Sequence, residues 1–297
     1  MTDPSTDGRT PQAEPAATGS AGGLAAAAVE AMPEGEVPKP VLTLPAGLRE
    51  DQTRLWEGTR DALFALPSSF TSRLVVQDVL ATDLHAFASA LGASIEVQVV
   101  AALNAQRDLW DPNGEWALYR WERQAQRFPD VVLRTAAPGK SPEPLMGIEL
   151  KGWYVLAREG VPTFRFNTTA AVCAPMDLLV VVPWALDAGI SGSPRIWDPY
   201  VVSARDAALY RNYHWEHIRQ TANDAGIELS TVNHTYPTKA ELIADVPQYD
   251  NGKNFGRYAR SKAMDEYMAS IFRQELAGIP LSAWLAFLKR FEDTAVE

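Results

Sequence analysis

A short apolar run near the middle of the chain constrains the fold more than any other feature. The run extends from Leu178 to Val182, directly after Asp177, and it is apolar at every position. A strand formed here buries both of its faces, so it belongs at the centre of a sheet that is covered on both sides. Helical periodicity is found at 48–66, 75–91, 95–110, 204–222 and 256–276. The alternation of helices and strands predicts an α/β fold with a mixed central β-sheet flanked by helices.

Composition narrows the class of protein. The 297 residues are 46% hydrophobic and carry a formal net charge of −10, which is ordinary for a globular protein. Because Cys173 is the single cysteine, the chain forms neither an intrachain disulfide nor a cysteine-ligated metal centre, and this predicts a cytoplasmic location. The apolar runs are far shorter than the roughly 20 residues of a membrane helix. No phosphate-binding loop or dinucleotide-binding glycine pattern occurs, which disfavours ATP-driven and dinucleotide-dependent functions.

The N-terminal part differs in composition from the rest of the chain. Residues 1–45 consist mainly of Ala, Pro, Gly, Ser and Thr, and such a segment buries too little apolar surface to fold. We therefore expect a disordered tail, or alternatively a chain whose true initiator is Met32. Residues 46–297 show no second change in composition. They predict one domain, with helical N-terminal and C-terminal parts around a core at about 75–205.

Two predicted strands, at 130–135 and 145–155, carry the candidate catalytic residues. An antiparallel hairpin that pairs Asp130 with Glu149 has its centre between Gly139 and Lys140, and Pro138 supplies a turn signal there. Side chains that pair directly in this way lie about 5 Å apart at Cβ. The hairpin therefore predicts two neighbouring carboxylates on one face.

Strand alternation adds a lysine to the two carboxylates. Lys151 is two residues after Glu149 and shares its face, whereas Ile148 and Leu150 point to the opposite face and predict a core contact. Oxygen ligands without histidine or cysteine favour a hard cation such as Mg²⁺, which completes its shell with water and substrate phosphate. The pattern therefore indicates phosphoryl chemistry, in which Lys151 orients or helps to deprotonate a metal-activated water.

The segments Pro129-Asp130 and Glu149-Leu150-Lys151 resemble the signature of the PD-(D/E)xK nuclease superfamily. The resemblance covers residues 75–205 well and the C-terminal part only in general character. It implies a restriction-endonuclease-like core and the activity of an endonuclease that cleaves DNA with Mg²⁺, for which Mn²⁺ can substitute. By this resemblance Asp130 and Glu149 are metal ligands, the carbonyl of Leu150 joins them, and Lys151 positions the attacking water.

Many members of this superfamily add an acidic residue from the helix before the core sheet. Glu96 is the candidate in this chain, on a predicted helix that has Ser94 as its N-cap. The alternative is that Glu96 is a first-turn carboxylate that the helix N-terminus stabilises.

A nuclease also needs basic residues that contact phosphates. The candidates for DNA contact are Arg123, Arg127, Arg165, Lys253, Arg257 and Arg260. For Arg165, in a predicted short strand at 163–167, a buried ion pair is an equal alternative. For Arg257 and Arg260 the alternative is an ordinary solvated helix surface.

The resemblance also indicates a biological setting. A type II-like restriction enzyme, or a related enzyme of phage defence, cuts duplex DNA and is expected to act as a homodimer, with a partner methyltransferase or another defence subunit. Two alternatives stay open. One is a protein with a nuclease fold that binds DNA or a partner without cutting, and the other is a nuclease of repair or RNA processing.

Overall fold

The computed structural model describes residues 35–78, 84–135, 144–219, 226–250, 252 and 254–294. The strands of the central sheet are β1 (Tyr119–Arg123), β2 (Val131–Thr135), β3 (Pro144–Tyr154), β4 (Leu178–Leu186), β5 (Pro194–Ile196) and β6 (Tyr200–Ser203). Two small antiparallel pairs consist of β7 (Ile227–Glu228) with β8 (Val246–Pro247), and β9 (Glu275–Leu276) with β10 (Ile279–Pro280). Residues 1–34 of the predicted tail at 1–45, and the predicted turn at 136–143, lie outside the described residues, and residues 35–45 form neither helix nor strand.

Helices surround this sheet. They are α1 (Glu50–Phe64), α2 (Leu66–Ser69), α3 (Leu84–Ala105), α4 (Arg107–Trp110), α5 (Ala204–Tyr213), α6 (Asp265–Phe272) and α7 (Leu281–Thr294). A π-helical turn, His214–Ile218, continues α5, and 3₁₀ turns occupy Ala170–Val172 and Tyr258–Ser261. No helix in the described part of the chain combines the length and the apolar character needed to cross a bilayer.

The central sheet has the order β1-β2-β3-β4-β5, and β6 also pairs with β4. Strands β3 and β4 are parallel, and the other pairs are antiparallel. Every residue of β4 is buried, as its apolar run predicts. The predictions of a mixed α/β fold and of a buried central strand are therefore confirmed.

The two faces of β3 pack against different helices. A Cβ atom added to Gly152 would lie 3.6 Å from the Cα of Gly92 in α3, so that helix comes close to the sheet. On the other face, the ring of Trp153 makes an edge contact with Phe272 of α6, at a centroid distance of 5.7 Å. Alternation along a strand produces this division.

Several predicted elements are wrong. The helix predicted at 75–91 begins at Leu84 among the described residues, whereas Val76 forms a β-bridge with Gly192. Ser94 lies inside α3, where its hydroxyl accepts a hydrogen bond from Gln98, because apolar periodicity continues through this position and overrides the capping signal. Conversely, the aromatic and basic segment after residue 116 contains β1, which sequence reasoning did not identify.

Two C-terminal predictions also need correction. Residues 163–167 form no strand, and the amide of Phe166 donates instead to the carbonyl of Gly256. The helix predicted at 256–276 is limited to α6, because Lys262 adopts a left-handed φ of 63° that ends the preceding 3₁₀ turn. The helix predicted at 204–222 is α-helical only to Tyr213 before its π-helical turn.

Candidate active site

The hairpin register brings the predicted carboxylates together. Strand β2 pairs with β3 through Val131 opposite Ile148, and the same register carried one residue further places Asp130 opposite Glu149. This confirms the predicted register. Beyond this point β3 continues to Tyr154 and, among the strands that the structure describes, pairs only with β4, so no described strand covers one edge of β3 from Glu149 onward.

A lysine ammonium joins the two carboxylates at this open edge. Lys151 Nζ lies 3.0 Å from Asp130 Oδ2 and 2.7 Å from Glu149 Oε1. The amide of Asp130 donates to Glu149 Oε2 at 3.3 Å, and the amide of Leu150 donates to Asp130 Oδ2 at 3.1 Å. Because the N–H and C=O of one strand residue point to the same side, the Leu150 carbonyl also points toward the open edge.

Glu96 approaches the same group from α3. Its Oε2 accepts a hydrogen bond from Arg123 Nη2 of β1 at 3.0 Å. Burial raises the pKa of the Glu96 carboxyl, and the charge of Asp130 raises it further against the opposing effect of Arg123. Glu96 lies well inside α3 rather than in its first turn, so the alternative of stabilisation by a helix N-terminus is wrong. We call Glu96, Asp130, Glu149 and Lys151 the acid–lysine cluster.

Burial and neighbouring charges shift the pKa values of the groups in this cluster. Burial raises the pKa of Glu149 to about 7, the Lys151 ammonium opposes this shift, and the Asp130 carboxylate adds to it. For Lys151, burial favours the neutral amine, but attraction to the two strand carboxylates outweighs that effect and raises the pKa of the ammonium above its usual range. Three carboxyl groups and two basic groups, Lys151 and Arg123, therefore lie in a partly desolvated place, where burial favours protonation of Glu96 and Glu149 and a bound cation would favour their ionised forms.

The donor atoms of the cluster fit a hard divalent cation. Asp130 and Glu149 offer carboxylate oxygens and Leu150 a carbonyl oxygen, which are the donors that Mg²⁺ and Mn²⁺ prefer. In the described part of the chain, no three or more His, Cys, Asp or Glu residues already converge in a metal-ligating arrangement. Glu96 is paired with Arg123, and the Lys151 ammonium contacts both Asp130 and Glu149, so a cation would compete with this ammonium for the carboxylate oxygens.

Two cavities adjoin the cluster. A cavity of about 290 Å³, the acidic-side cavity, is lined by Asp130 and Glu149 together with Arg127, Thr168 and the segment 237–243. A second cavity of about 370 Å³, the aromatic cavity, lies beside Glu96 and Lys151. The cluster thus stands between two spaces large enough for parts of a substrate.

Sequence reasoning missed the segment that covers the acidic-side cavity. Lys239 is exposed in this segment and lines the cavity together with Glu241, whose carboxylate is bound by Thr238 and by His234. No periodic pattern marks these residues, and they are distant in sequence from Glu149. A single lysine between turn residues carries no signal that would have identified it.

A buried carboxylate anchors this segment to the sheet. Asp177 accepts hydrogen bonds from the Tyr236 hydroxyl at 2.9 Å and from the amides of Gly147 at 2.7 Å and Ala174 at 2.8 Å. Burial raises the pKa of Asp177 to about 7, although its three donors favour the charged form. Tyr236 therefore links the cavity wall to the strand that carries Glu149.

We expect Tyr236→Phe to lower the free energy of unfolding by about 1–3 kcal/mol, because it removes a donor from a buried carboxylate. The pKa of Asp177 is about 7 in the native state, whereas in the unfolded chain it has the lower value of an ordinary aspartate. Between these two pKa values the unfolded chain has already released the proton, so Asp177 makes the native state less stable as the pH rises. Loss of the Tyr236 hydroxyl costs the most free energy at pH values at which Asp177 is charged. Urea denaturation at about pH 5.5 and about pH 8.5 should show the larger loss at the higher pH; an equal loss at both would contradict this role.

Close packing at Gly147 holds the start of β2 in place. A Cβ atom at this position would lie 2.2 Å from Pro129 Cγ and 2.9 Å from Asp177 Oδ1. We expect Gly147→Ala to displace Pro129, and Asp130 with it, at a cost of about 1–3 kcal/mol in unfolding free energy. Thermal denaturation measures this loss. Gly92→Ala is the matched control, since its added methyl meets no atom within 4 Å, and an equal loss in both variants would contradict the packing role.

The basic residues that were predicted to contact DNA lie in different parts of the structure. Arg123 is paired with Glu96, and Arg127 lines the acidic-side cavity. Arg165 lies in a segment that forms no strand, so the alternation that was expected to direct it to the cleft is absent, and it lines neither cavity. It is exposed, so the alternative of a buried ion pair is wrong as well. Arg257 and Arg260 lie 3.6 Å and 3.7 Å from the carboxylate of Glu159, outside any α-helix. Lys253 lies outside the described residues.

Comparisons of this chain with protein-family models, with curated proteins and with solved structures find no match. The function must therefore be argued from the site itself.

Proposed function

We propose that the protein is a Mg²⁺-dependent endonuclease that hydrolyses phosphodiester bonds of duplex DNA at the acid–lysine cluster. The observation that carries this proposal is the convergence of Asp130, Glu149 and Lys151 at the open edge of β3, with Glu96 approaching from α3. This arrangement supports a restriction-endonuclease-like core, in agreement with the motif resemblance.

Each residue of the cluster has a role in the proposed reaction. Asp130, Glu149 and the Leu150 carbonyl would hold the cation, which when bound supplies charge neutralisation and a more acidic water. Lys151 is a pure hydrogen-bond donor in its ammonium form, so it holds the attacking water or a phosphate oxygen by donation. Glu96 adds negative charge from the other side and keeps Arg123 beside the cluster.

Basic side chains near the cluster suit a polyanionic substrate. Arg127 and Lys239 line the cavity next to Asp130 and Glu149, where they would contact phosphates on either side of the bond that is cut. The resemblance supports a role in restriction or phage defence, a homodimer on two-fold duplex sites, and a partner methyltransferase or other defence subunit.

One observation favours a second candidate function. The Lys151 ammonium already contacts both strand carboxylates, as it would in a structural ion-pair cluster. A protein with this cluster could bind DNA or a partner subunit without cutting. The two functions differ in whether a divalent cation displaces the ammonium.

Incubation of the full chain with unmodified plasmid DNA, phage DNA and RNA tests the proposal, with Mg²⁺ or Mn²⁺ and with EDTA. We expect discrete DNA fragments with either metal and none with EDTA. Preferential cleavage of RNA would instead indicate an RNA-processing nuclease. DNA binding without cleavage under all conditions would favour the non-cleaving function.

A further inference from the structure

Two arginines share one carboxylate beside the aromatic cavity. Arg257 Nη1 lies 3.6 Å and Arg260 Nη2 lies 3.7 Å from the same oxygen, Oε2 of Glu159. We call Arg257 and Arg260 the arginine pair. These three groups together have one positive charge in excess. A further ammonium is close to them, since a Cβ atom added to Gly160 would lie 3.7 Å from Lys289 Nζ.

The contacts of the arginine pair with Glu159 are ion pairs without hydrogen bonds. Both distances exceed the roughly 2.7–2.9 Å of a charge-assisted hydrogen bond. Elsewhere on the surface, by contrast, Arg54 donates two hydrogen bonds to the carboxylate of Glu115. The Glu159 side chain is 46% exposed, and ion pairs between exposed groups contribute little to stability. Another anion could therefore displace Glu159 at little cost.

The backbone holds the arginine pair in place without help from Glu159. The amides of Asn254 and Phe255 donate to the carboxylate of Asp250 at 2.7 Å and 3.0 Å. The amide of Arg257 donates to the carbonyl of Asn254, and the amide of Arg260 donates to the carbonyl of Arg257. The guanidinium of Arg260 also donates to the side-chain oxygen of Asn254. Donors that are already ordered lose little conformational freedom when they bind an anion.

The aromatic cavity relates the arginine pair to the acid–lysine cluster. The lining of this cavity includes Lys151 of the cluster, and also Ala157 and Val161, which flank Glu159 in sequence. Glu159 thus belongs to the turn that forms part of the cavity wall, and the arginine pair lies against that turn. Positive charge is therefore present on this side of the cluster as well as in the acidic-side cavity.

We propose that the arginine pair binds a backbone phosphate of the nucleic acid held at the cluster, and that Glu159 occupies this phosphate site when no nucleic acid is bound. The inference rests on the proposed function of the cluster. A guanidinium presents paired N–H donors that match the oxygens of a phosphate. The Glu159 carboxylate is tethered to its turn, whereas a phosphate of a bound strand can come within hydrogen-bond distance of both guanidinium groups.

Binding of a fluorescein-labelled DNA duplex of arbitrary sequence to the full chain tests the inference, in EDTA and at several salt concentrations. Arg257→Gln and Arg260→Gln should each weaken binding severalfold. They should also reduce the slope of log affinity against log salt concentration by about 1, because a phosphate contact is lost. Glu159→Gln should have the opposite effect and strengthen binding severalfold, because the phosphate no longer has to displace a carboxylate.

The exposed pair of Arg54 and Glu115 supplies the matched controls. Arg54→Gln and Glu115→Gln change the charge of the protein by the same amounts, and they should leave affinity and slope unchanged. Thermal denaturation shows whether each variant is folded. If Arg257→Gln does not fold, Arg260→Gln and Glu159→Gln still give the reading, since both of these side chains are nearly half exposed.

The inference is overturned if Glu159→Gln binds DNA no more tightly than Glu115→Gln, or if both arginine variants bind it as Arg54→Gln does. Variants that alter the binding of poly-glutamate but not of DNA would overturn it in favour of an acidic protein segment. Because the measurement does not require hydrolysis, the expected responses in a protein that never cuts DNA would disprove the nuclease proposal alone. DNA cleavage by the wild type, with unchanged binding in all variants, would disprove the arginine-pair proposal alone.

Discussion

Lys151→Met should abolish most DNA cleavage while leaving the binding of Mg²⁺ intact or stronger. The substitution keeps an unbranched side chain and removes the ammonium that contacts Asp130 Oδ2 and Glu149 Oε1. Loss of a group that orients the reacting water or stabilises charge in the transition state costs about a hundredfold to ten-thousandfold in rate. The two carboxylates then face a cation with no competitor. Cleavage rates and calorimetric titration with Mg²⁺ measure the two effects.

The combination of a lower cleavage rate with unchanged or stronger Mg²⁺ binding would distinguish the role of Lys151 from that of the carboxylates that hold the metal. Glu122→Gln is the matched control, because Glu122 is also a strand glutamate with two basic partners, Arg120 and Arg134, but lies outside the cluster. It should change neither rate nor binding. A Lys151→Met protein that loses Mg²⁺ affinity in proportion to its rate would contradict the assigned role of the lysine.

Arg211→Met should cause the largest loss of stability. The Arg211 side chain is 3% exposed, and its guanidinium donates to Asp245 Oδ2 at 2.6 Å and to the carbonyls of Phe166 at 2.6 Å and Thr168 at 3.0 Å. Removing one partner of a buried ion pair leaves the other charge uncompensated, which costs about 3–5 kcal/mol. Because Thr168 also lines the acidic-side cavity, the same contacts hold one wall of the site.

Urea denaturation of Arg211→Met and of the double variant Arg211→Met with Asp245→Asn tests this reasoning. The double variant removes the uncompensated charge and should recover part of the loss, since Asp245 in the single variant keeps its hydrogen bonds from Asn212 and Ser230 but has lost its counter-charge. Losses that simply add in the double variant, or a loss below about 1 kcal/mol in the single one, would contradict the account.

The local sequence pattern was sufficient to predict the centre of the fold. The apolar run at Leu178–Val182 predicts a buried strand because only the middle of a covered sheet accepts both of its faces. The pairing of Asp130 with Glu149 also follows from local information, since a one-residue slip would turn Ile148 and Leu150 away from the core, where both are buried.

Contacts between distant segments were beyond the reach of such patterns. The sequence predicts a break at Ser94, but packing against the sheet keeps α3 continuous and places Glu96 far from any helix end. The wall formed by residues 237–243 depends on Tyr236 reaching Asp177, a contact between residues 59 positions apart. Nothing in the neighbourhood of either residue indicates that they meet.

The rate of DNA cleavage by Asp130→Asn, beside wild type and Glu122→Gln, tests the central claim most directly. Asp130→Asn preserves the shape of the side chain and removes one negative charge from the proposed cation site. With Mg²⁺ and unmodified phage DNA, we predict that wild type and Glu122→Gln cut at equal rates and that Asp130→Asn is slower by at least about a hundredfold. Equal cleavage by all three proteins would show that hydrolysis does not take place at the acid–lysine cluster.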